Sequence, residues 1–370
     1  MFEYNLSSGG MMKRFVPLLV CFVLVAVYAQ EIMENPKTPK NENAGRVLKL
    51  DEIFRIDGEG EDYYHNGARK LQIDNSGNIY ICDSWMSGQK AHLLKFSPDG
   101  RFNKDLYRQG EGPGEIQSAY EFSLNEPEVI VYDYMKRKII VMDNEGQFSN
   151  EFKITSGQFN EFIGVYTDWL VFMRKDTPYE RKTSKLYDVQ DVIVFLSKDG
   201  QTEKDFYTFL SKEFYVSSAQ GGGGMNWDPF LAVMGNGKLF VCHTREYLIE
   251  VLDLETGEIT SRFKRKYPRI KHEMREFEKK FISKYNAPNR KFDPDVMDLF
   301  YNQGQLWIKT SIEDESKGSL IDVFDAKGQY LDSFYINIKG SILKIDGDFL
   351  YAAESDEEEL PLIVKYCILQ

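Results

Sequence analysis

The 370-residue chain is poor in the residues that carry catalysis: it has four histidines and four cysteines. No Gly-x-Ser-x-Gly string is present. The one His-Glu pair, His272-Glu273, meets Glu276 where a zinc-protease helix needs its second histidine. No nucleophile stands beside a legible base, so the inventory favours binding over catalysis. Basic excess is also missing. Lys and Arg number 46 against 58 Asp and Glu, a net charge of −12. Nucleic acid is excluded as a default partner, because neutralising phosphates needs a basic face. Long apolar runs are absent apart from Phe15–Val27, which is too short to span a bilayer. It follows Met12-Lys13-Arg14 and ends near Val27-Tyr28-Ala29, the pattern of an export signal. Residues 1–29 are therefore expected to be a signal peptide, leaving an exported, periplasmic or extracellular protein with no membrane span after cleavage.

What is present is a repeat. A strand, a tight polar turn and a second strand ending on a polar residue recur six times. The copies are Lys70–Asp83, Glu121–Asp133, Phe162–Arg174, Phe230–His243, Val296–Thr310 and Ser341–Glu354. A second pair follows each of the first five, at Leu93–Tyr107, Ile139–Phe152, Val192–Tyr207, Ile249–Phe263 and Leu320–Tyr335. Its turn opens on Asp or Ser and closes on Gly, where the first caps its own turn and the second supplies a positive φ. Alternation of period two flanks each turn, as half-buried strands require. Four strands per repeat at this period predict an all-β, six-bladed propeller. The sixth copy ends at Leu362–Leu369 without a fourth strand, and Leu50–Glu61 resembles the fourth strand and exit of the first copy. The N-terminal strand is expected to complete the last blade, removing an open sheet edge. The propeller domain is placed at residues 47–370, with one helical insertion at about 264–295. In that insertion Ile270, Met274, Phe277 and Phe281 fall near helical spacing. Residues 30–46, rich in Pro, Asn, Glu and Lys, read as a disordered spacer. A monomer is expected.

Three cysteines remain after the signal. Cys82 and Cys242 take equivalent second-strand places in copies one and four, opposite each other in a six-fold ring. That separation lies far beyond the ~7 Å a disulfide tolerates between Cα atoms, so buried thiols are expected.

In a propeller, the loops from fourth to first strand and from second to third strand share one face. Every long insertion falls in these two classes, so that face is the expected working face. Six residues end the second strands and are expected to ring the channel mouth: Asp83, Asp133, Arg174, His243, Thr310 and Glu354. Asp83, Asp133 and Glu354 come from neighbouring copies, and converging carboxylates are oxygen ligands for a hard cation such as Ca²⁺. The loop Glu111-Gly112-Pro113-Gly114 is a tight turn with exposed backbone, and with Trp85 and Trp227 it supplies candidate binding residues. A blade-to-blade turn is the alternative reading of that loop.

With the strings IDNSGNIYICDS, LLKFSPDGRF and RQGEGPGEIQ, the chain resembles the six-bladed propellers of the NHL/TolB-like group, over roughly Val47 to Leu369. The resemblance is strongest to exported bacterial proteins known only as 6-bladed β-propellers. It implies fold strongly and activity hardly at all. Relatives of this architecture include lactonases with a divalent metal at the channel mouth and amidating lyases with histidine-bound zinc. The histidines here are too few for the lyase pattern. Two functions stay open: a non-enzymatic module presenting its long-loop face to a protein, peptide or glycan, and a metal-dependent hydrolase or lactonase at the channel mouth.

Overall fold

In the computed structural model the described residues are 31–65, 67–83, 92–155, 157–178, 182–218, 221–227 and 229–369. The expected signal peptide lies outside them. The chain enters through β1 (Ile32–Asn35), β2 (Arg46–Val47) and β3 (Lys49–Asp57). Blade one is β4 (Ala68–Ile73), β5 (Ile79–Asp83), β6 (Leu93–Phe96) and β7 (Phe102–Asp105). Blade two is β8 (Ala119–Asn125), β9 (Glu128–Asp133), β10 (Lys138–Asp143) and β11 (Phe148–Lys153). Blade three has five strands: β12 (Glu161–Tyr166), β13 (Trp169–Asp176), β14 (Lys185–Ser197), β15 (Glu203–Ser218) and β16 (Gly221–Asn226). Blade four is β17 (Phe230–Gly235), β18 (Lys238–His243), β19 (Leu248–Asp253) and β20 (Ile259–Arg265). Helix α1 (Glu276–Tyr285) follows. Blade five is β21 (Val296–Asn302), β22 (Gln305–Asp314), β23 (Gly318–Asp325) and β24 (Tyr330–Ile336). Blade six is β25 (Ser341–Asp346), β26 (Phe349–Ser355), β27 (Pro361–Leu369) and the returning β3.

The chain is thus a six-bladed β-propeller. The first strands β4, β8, β12, β17, β21 and β25 neighbour one another in that order and close on themselves. Closure by the N-terminal strand follows the expected register: Ile363 faces Ile56 and Ile368 faces Leu50 across an antiparallel pair. Apolar clusters fill the spaces between blades. One joins Ile56 and Ile363 of blade six to Leu71, Ile81 and Phe96 of blade one.

The turn chemistry read from sequence serves a second purpose. Asp143 Oδ1 accepts from the amides of Glu145 and Gln147, and Asp325 Oδ1 from those of Lys327 and Gln329, so each aspartate caps its own hairpin. The glycine that ends the turn also touches the preceding blade. A Cβ on Gly100, at φ +81°, would stand 2.6 Å from a ring carbon of Phe54 on β3. Gly200 meets Phe152 and Gly328 meets Phe263 in the same way. One residue therefore fixes both the turn and the seam between blades.

Three expectations need correction. The segment read as a disordered spacer contains β1 and β2, which add parallel fifth strands to blades four and five. Their pairing is carried by backbone groups and by polar side chains. Asn35 bonds Gly328 O at 2.8 Å, and Arg46 pairs with Asp332 at 2.9 Å. An outer sheet edge supplies such partners whatever the apolar content of the incoming strand. Second, two of the long insertions expected as loops, Thr177–Gln190 and Ser211–Pro229, carry strand from Lys185 and over most of Ser211–Asn226. β14 and β15 run beyond β13 and, with β16, form a three-stranded arm; Gly221–Gly224 lies within its outer strand. Third, the helix begins later than its apolar spacing suggests. The Arg275 amide donates to Glu278 Oε2 at 2.7 Å, fixing the start, and Asn286 at φ 53° ends it. Ile270 and Met274 precede it in extended chain.

Candidate functional site

The six second-strand residues end at one face but do not meet. Asp83 Oδ1 accepts from the His92 amide at 2.7 Å. Asp133 accepts from the amides of Gln117, 2.7 Å, and Lys136, 3.1 Å. Thr310 donates to Leu320 O at 3.1 Å and is fully buried. Arg174 pairs with Asp176 at 2.8 Å and with Glu203 and Asp205 on β15, away from the channel. Glu354 accepts from the Tyr366 hydroxyl at 2.8 Å and lines a surface hollow with Glu52 and Arg55 of the outermost strand. His243 packs edge-on against Phe230, 5.3 Å between centroids, and burial lowers its pKa. Asp83 and Asp133 thus hold adjoining loops, while Arg174, Thr310 and Glu354 bond to other strands of their own blades. The proposed grouping of Asp83, Asp133 and Glu354 around Ca²⁺ is not formed, and no group of three or more His, Cys, Asp or Glu suited to a metal exists among the described residues.

The polar groups of the Gly-rich loop are likewise engaged within the protein, although Glu111 and Pro113 are exposed. Glu115 accepts from the Gly112 amide at 2.8 Å, Glu151 from the Gly114 amide at 3.0 Å, and Glu111 pairs with Lys136 at 2.7 Å. It is a blade-to-blade turn with its polar groups spent. Trp85 lies outside the described residues. Cys82 and Cys242 are buried, and burial raises both thiol pKa values far above the ordinary range.

Two other places concentrate chemistry. The first is the channel, a cavity of about 500 Å³ whose wall comes entirely from the six first strands. One strand position below the mouth, four of six places are charged. Lys70 faces Cys82, Glu121 faces Tyr132, Glu161 faces Met173 and Asp298 faces Lys309; Leu231 and Ser341 complete the level. Each partner is the residue just before the second-strand end named from sequence. This charged level is carried by the first strands, beside the second-strand ends named from sequence. The missed signal was polar letters at alternate places of the first strands, as in Lys70 and Gln72, or Glu121 and Ser123.

Glu121 is clamped by Lys70 at 3.0 Å and Arg69 at 3.2 Å. Lys70 also donates to the Phe162 carbonyl across the channel. Glu161 has no such partner among the described residues. Burial, reinforced by Glu121, pushes its pKa up to about 7, against the pull of Lys70. Asp298 accepts from the Leu299 amide at 2.8 Å, yet burial still pushes its pKa up to about 6. Burial lowers the pKa of Lys344 on β25, against the pull of Asp346 and with a smaller push from Lys70.

The second place is a cleft of about 180 Å³ between the arm and α1, lined by Met225, Trp227, Phe277, Phe281 and Arg290 among others. Arg290 lies over the Trp227 ring at 4.7 Å and bonds its carbonyl at 2.7 Å. Phe214 of β15 meets Phe281 edge-on at 6.0 Å. Met225 and Phe277 stay 46% and 64% exposed at the rim, an unusual outlay of apolar surface.

Residues 65–220 match the sequence profile of a family described as 6-bladed beta-propeller. No curated protein sequence matches the chain. Among solved structures the chain is similar to a candidate exported protein of Bacteroides fragilis, at 12% identity and a TM-score of 0.53, covering 92% of this chain and 100% of that one. It is also similar to a Bacteroides vulgatus protein of a domain family of unknown function, at 10% identity and a TM-score of 0.53, covering 88% and 99%. At these identities the likeness concerns fold. No helix among the described residues is long and apolar enough to cross a membrane.

Proposed function

We propose that the protein is an exported binding module whose long-loop face takes an acidic peptide segment or protein with an apolar anchor. The observation that carries this is the cleft between β16 and α1, with Met225 and Phe277 exposed at its rim. Trp227 is already covered by Arg290, which favours insertion of an apolar side chain over stacking of a sugar. Charge selects the partner further. The insertion 264–295 carries eleven Lys and Arg against five Asp and Glu in a chain of net charge −12. Lys271, Arg275, Lys279 and Lys280 are exposed around the cleft. A basic rim steers an acidic partner, and this attraction weakens with salt. The export signal in the sequence and the exported class of the B. fragilis neighbour support the extracytoplasmic setting.

The test is affinity capture from the envelope fraction of the native cell, with the mature chain and with Phe277→Ala and Met225→Ala as bait. A partner held by the wild type, lost from both variants and released by salt supports the reading. A partner held equally by all three baits overturns it. Fractionation of the full-length chain, with the protein found in the cytoplasm, would remove the exported setting.

A further inference from the structure

The channel charges are arranged with a direction. Going round the ring, blade six contributes Lys344 and blade one Arg69 and Lys70. Blade two contributes Glu121, which is held by the last two. That group of four keeps an excess positive charge. Blades three and five contribute Glu161 and Asp298, flanking the apolar wall of Ala232, Val233 and Met234 from blade four. First strands β12 and β25 stand opposite each other in the ring, and Lys344 lies on the wall opposite Glu161, two strand positions deeper in the cavity. Neither is in an ion pair among the described residues, although both are largely buried. Lys309, one strand out from the channel, offsets part of the Asp298 charge.

Leaving opposite charges on facing walls without contact is costly for a fold. Desolvation is suffered on both sides and the Coulomb gain is collected only in part, from Lys70 and Arg69 for Glu161 and from Asp346 for Lys344. A ligand that bridges the gap collects the rest. Simple ion pairing across the channel would be the structural solution, and Glu121 with Lys70 shows that this chain makes such pairs where none is needed for a ligand. The cavity, about 500 Å³, falls within the ~300–1,000 Å³ range of small-molecule sites. It exceeds the bulk of one amino acid and suits two residues.

We propose that the channel binds a small zwitterion of dipeptide size. Its ammonium group lies between Glu161 and Asp298, its carboxylate toward Lys344 and Lys70, and an apolar side chain against Ala232, Val233 and Met234. This site is separate from the cleft at α1, and each reading can fail without the other.

The experiment is isothermal titration of the mature chain with a panel of dipeptides built from alanine, leucine and phenylalanine, each also supplied N-acetylated and as its amide. At least one free dipeptide is expected to bind saturably. Blocking either end should weaken it about tenfold or more, the loss expected when one desolvated ion pair is removed. Glu161→Gln and Lys344→Met should each do the same, while Leu210→Ala, 73% exposed on β15, leaves affinity unchanged. Circular dichroism and a thermal transition establish that each channel variant is folded. A second reading comes from protons. At pH 6.5 a bound ammonium holds Glu161 ionised, so binding should release protons and its heat should vary with buffer ionisation enthalpy, an effect reduced in Glu161→Gln to the smaller share that Asp298 supplies. The proposal is overturned if no dipeptide binds at millimolar concentration, if capped forms bind as well as free ones, or if the folded channel variants bind like the wild type.

Discussion

At the scale of single residues, two buried groups set clear expectations. Asp322 lies between blades four and five with no exposure. It accepts from Tyr247 at 2.7 Å, Tyr330 at 2.6 Å and Arg265 Nε at 2.6 Å, while the guanidinium sits over the rings of Tyr247, Tyr267 and Tyr330 at 5.0–5.3 Å. Removing the carboxylate strands a buried cation, so Asp322→Ala should cost about 3–5 kcal/mol by denaturant unfolding. Glu161 behaves in the opposite sense. Its folded pKa of about 7 lies above its ordinary 4.5. The folded state therefore binds the extra proton between these values. Stability from this group is full below about pH 4.5 and is lost as pH rises through about 7. Asp298 adds the same sign between 3.8 and about 6. Glu161→Gln should stabilise the ligand-free protein by about 2 kcal/mol at pH 8 and by nothing near pH 4, as read from thermal transitions at both pH values. The Asp322 cluster was not legible in sequence, because its members are spread over three strands and two loops and no spacing links them. The channel carboxylates were legible as letters but not as a site, since strand ends attracted the reading that belonged one strand further in.

At the scale of elements, the hairpin turns were legible and the arm was not. Asp or Ser followed by Gly marks a turn because both residues act within four positions. Nothing comparable marks where a blade ends and the arm begins. β14 and β15 keep a strand pattern through both, and only the loss of pairing with β13 separates them. The helix boundary failed for a related reason: apolar spacing at Ile270 and Met274 continues past the point where the Arg275–Glu278 cap starts the helix. The turns also support a quantitative expectation. Gly100→Ala forces a positive φ on a residue with a Cβ and drives that Cβ into Phe54. The strain and the overlap together should cost about 2–3 kcal/mol, measured by chemical denaturation. Gly237 is the control. At φ +69° with nothing within 4 Å of its Cβ, Gly237→Ala should show only the smaller backbone penalty.

At the scale of the whole molecule, the N-terminal segment closes the ring in one place and shields it in two others. Between Lys49 and Asp57 it is the fourth strand of blade six, and Phe54 meets the turn glycine of blade one. Between Ile32 and Val47 it only covers outer edges of blades four and five. Closure was legible because the sixth copy lacked a strand that the chain start could supply. Edge covering was not, because parallel backbone pairing leaves no apolar alternation in a short polar segment. The two roles predict different losses. Deleting residues 49–57 opens blade six, exposes the edge of β27 and uncovers Ile363 and Leu71 in the cluster shared with blade one. An unpaired, apolar edge recruits other chains, so this variant should aggregate and lose its single cooperative transition. Deleting residues 31–46 leaves β3 in place. That variant should stay monomeric by light scattering and unfold in one step with a modestly lower midpoint, having lost the Arg46–Asp332 and Lys264–Glu34 pairs and a few backbone bonds. Equal behaviour of the two deletions would mean that the ring is not held shut by β3.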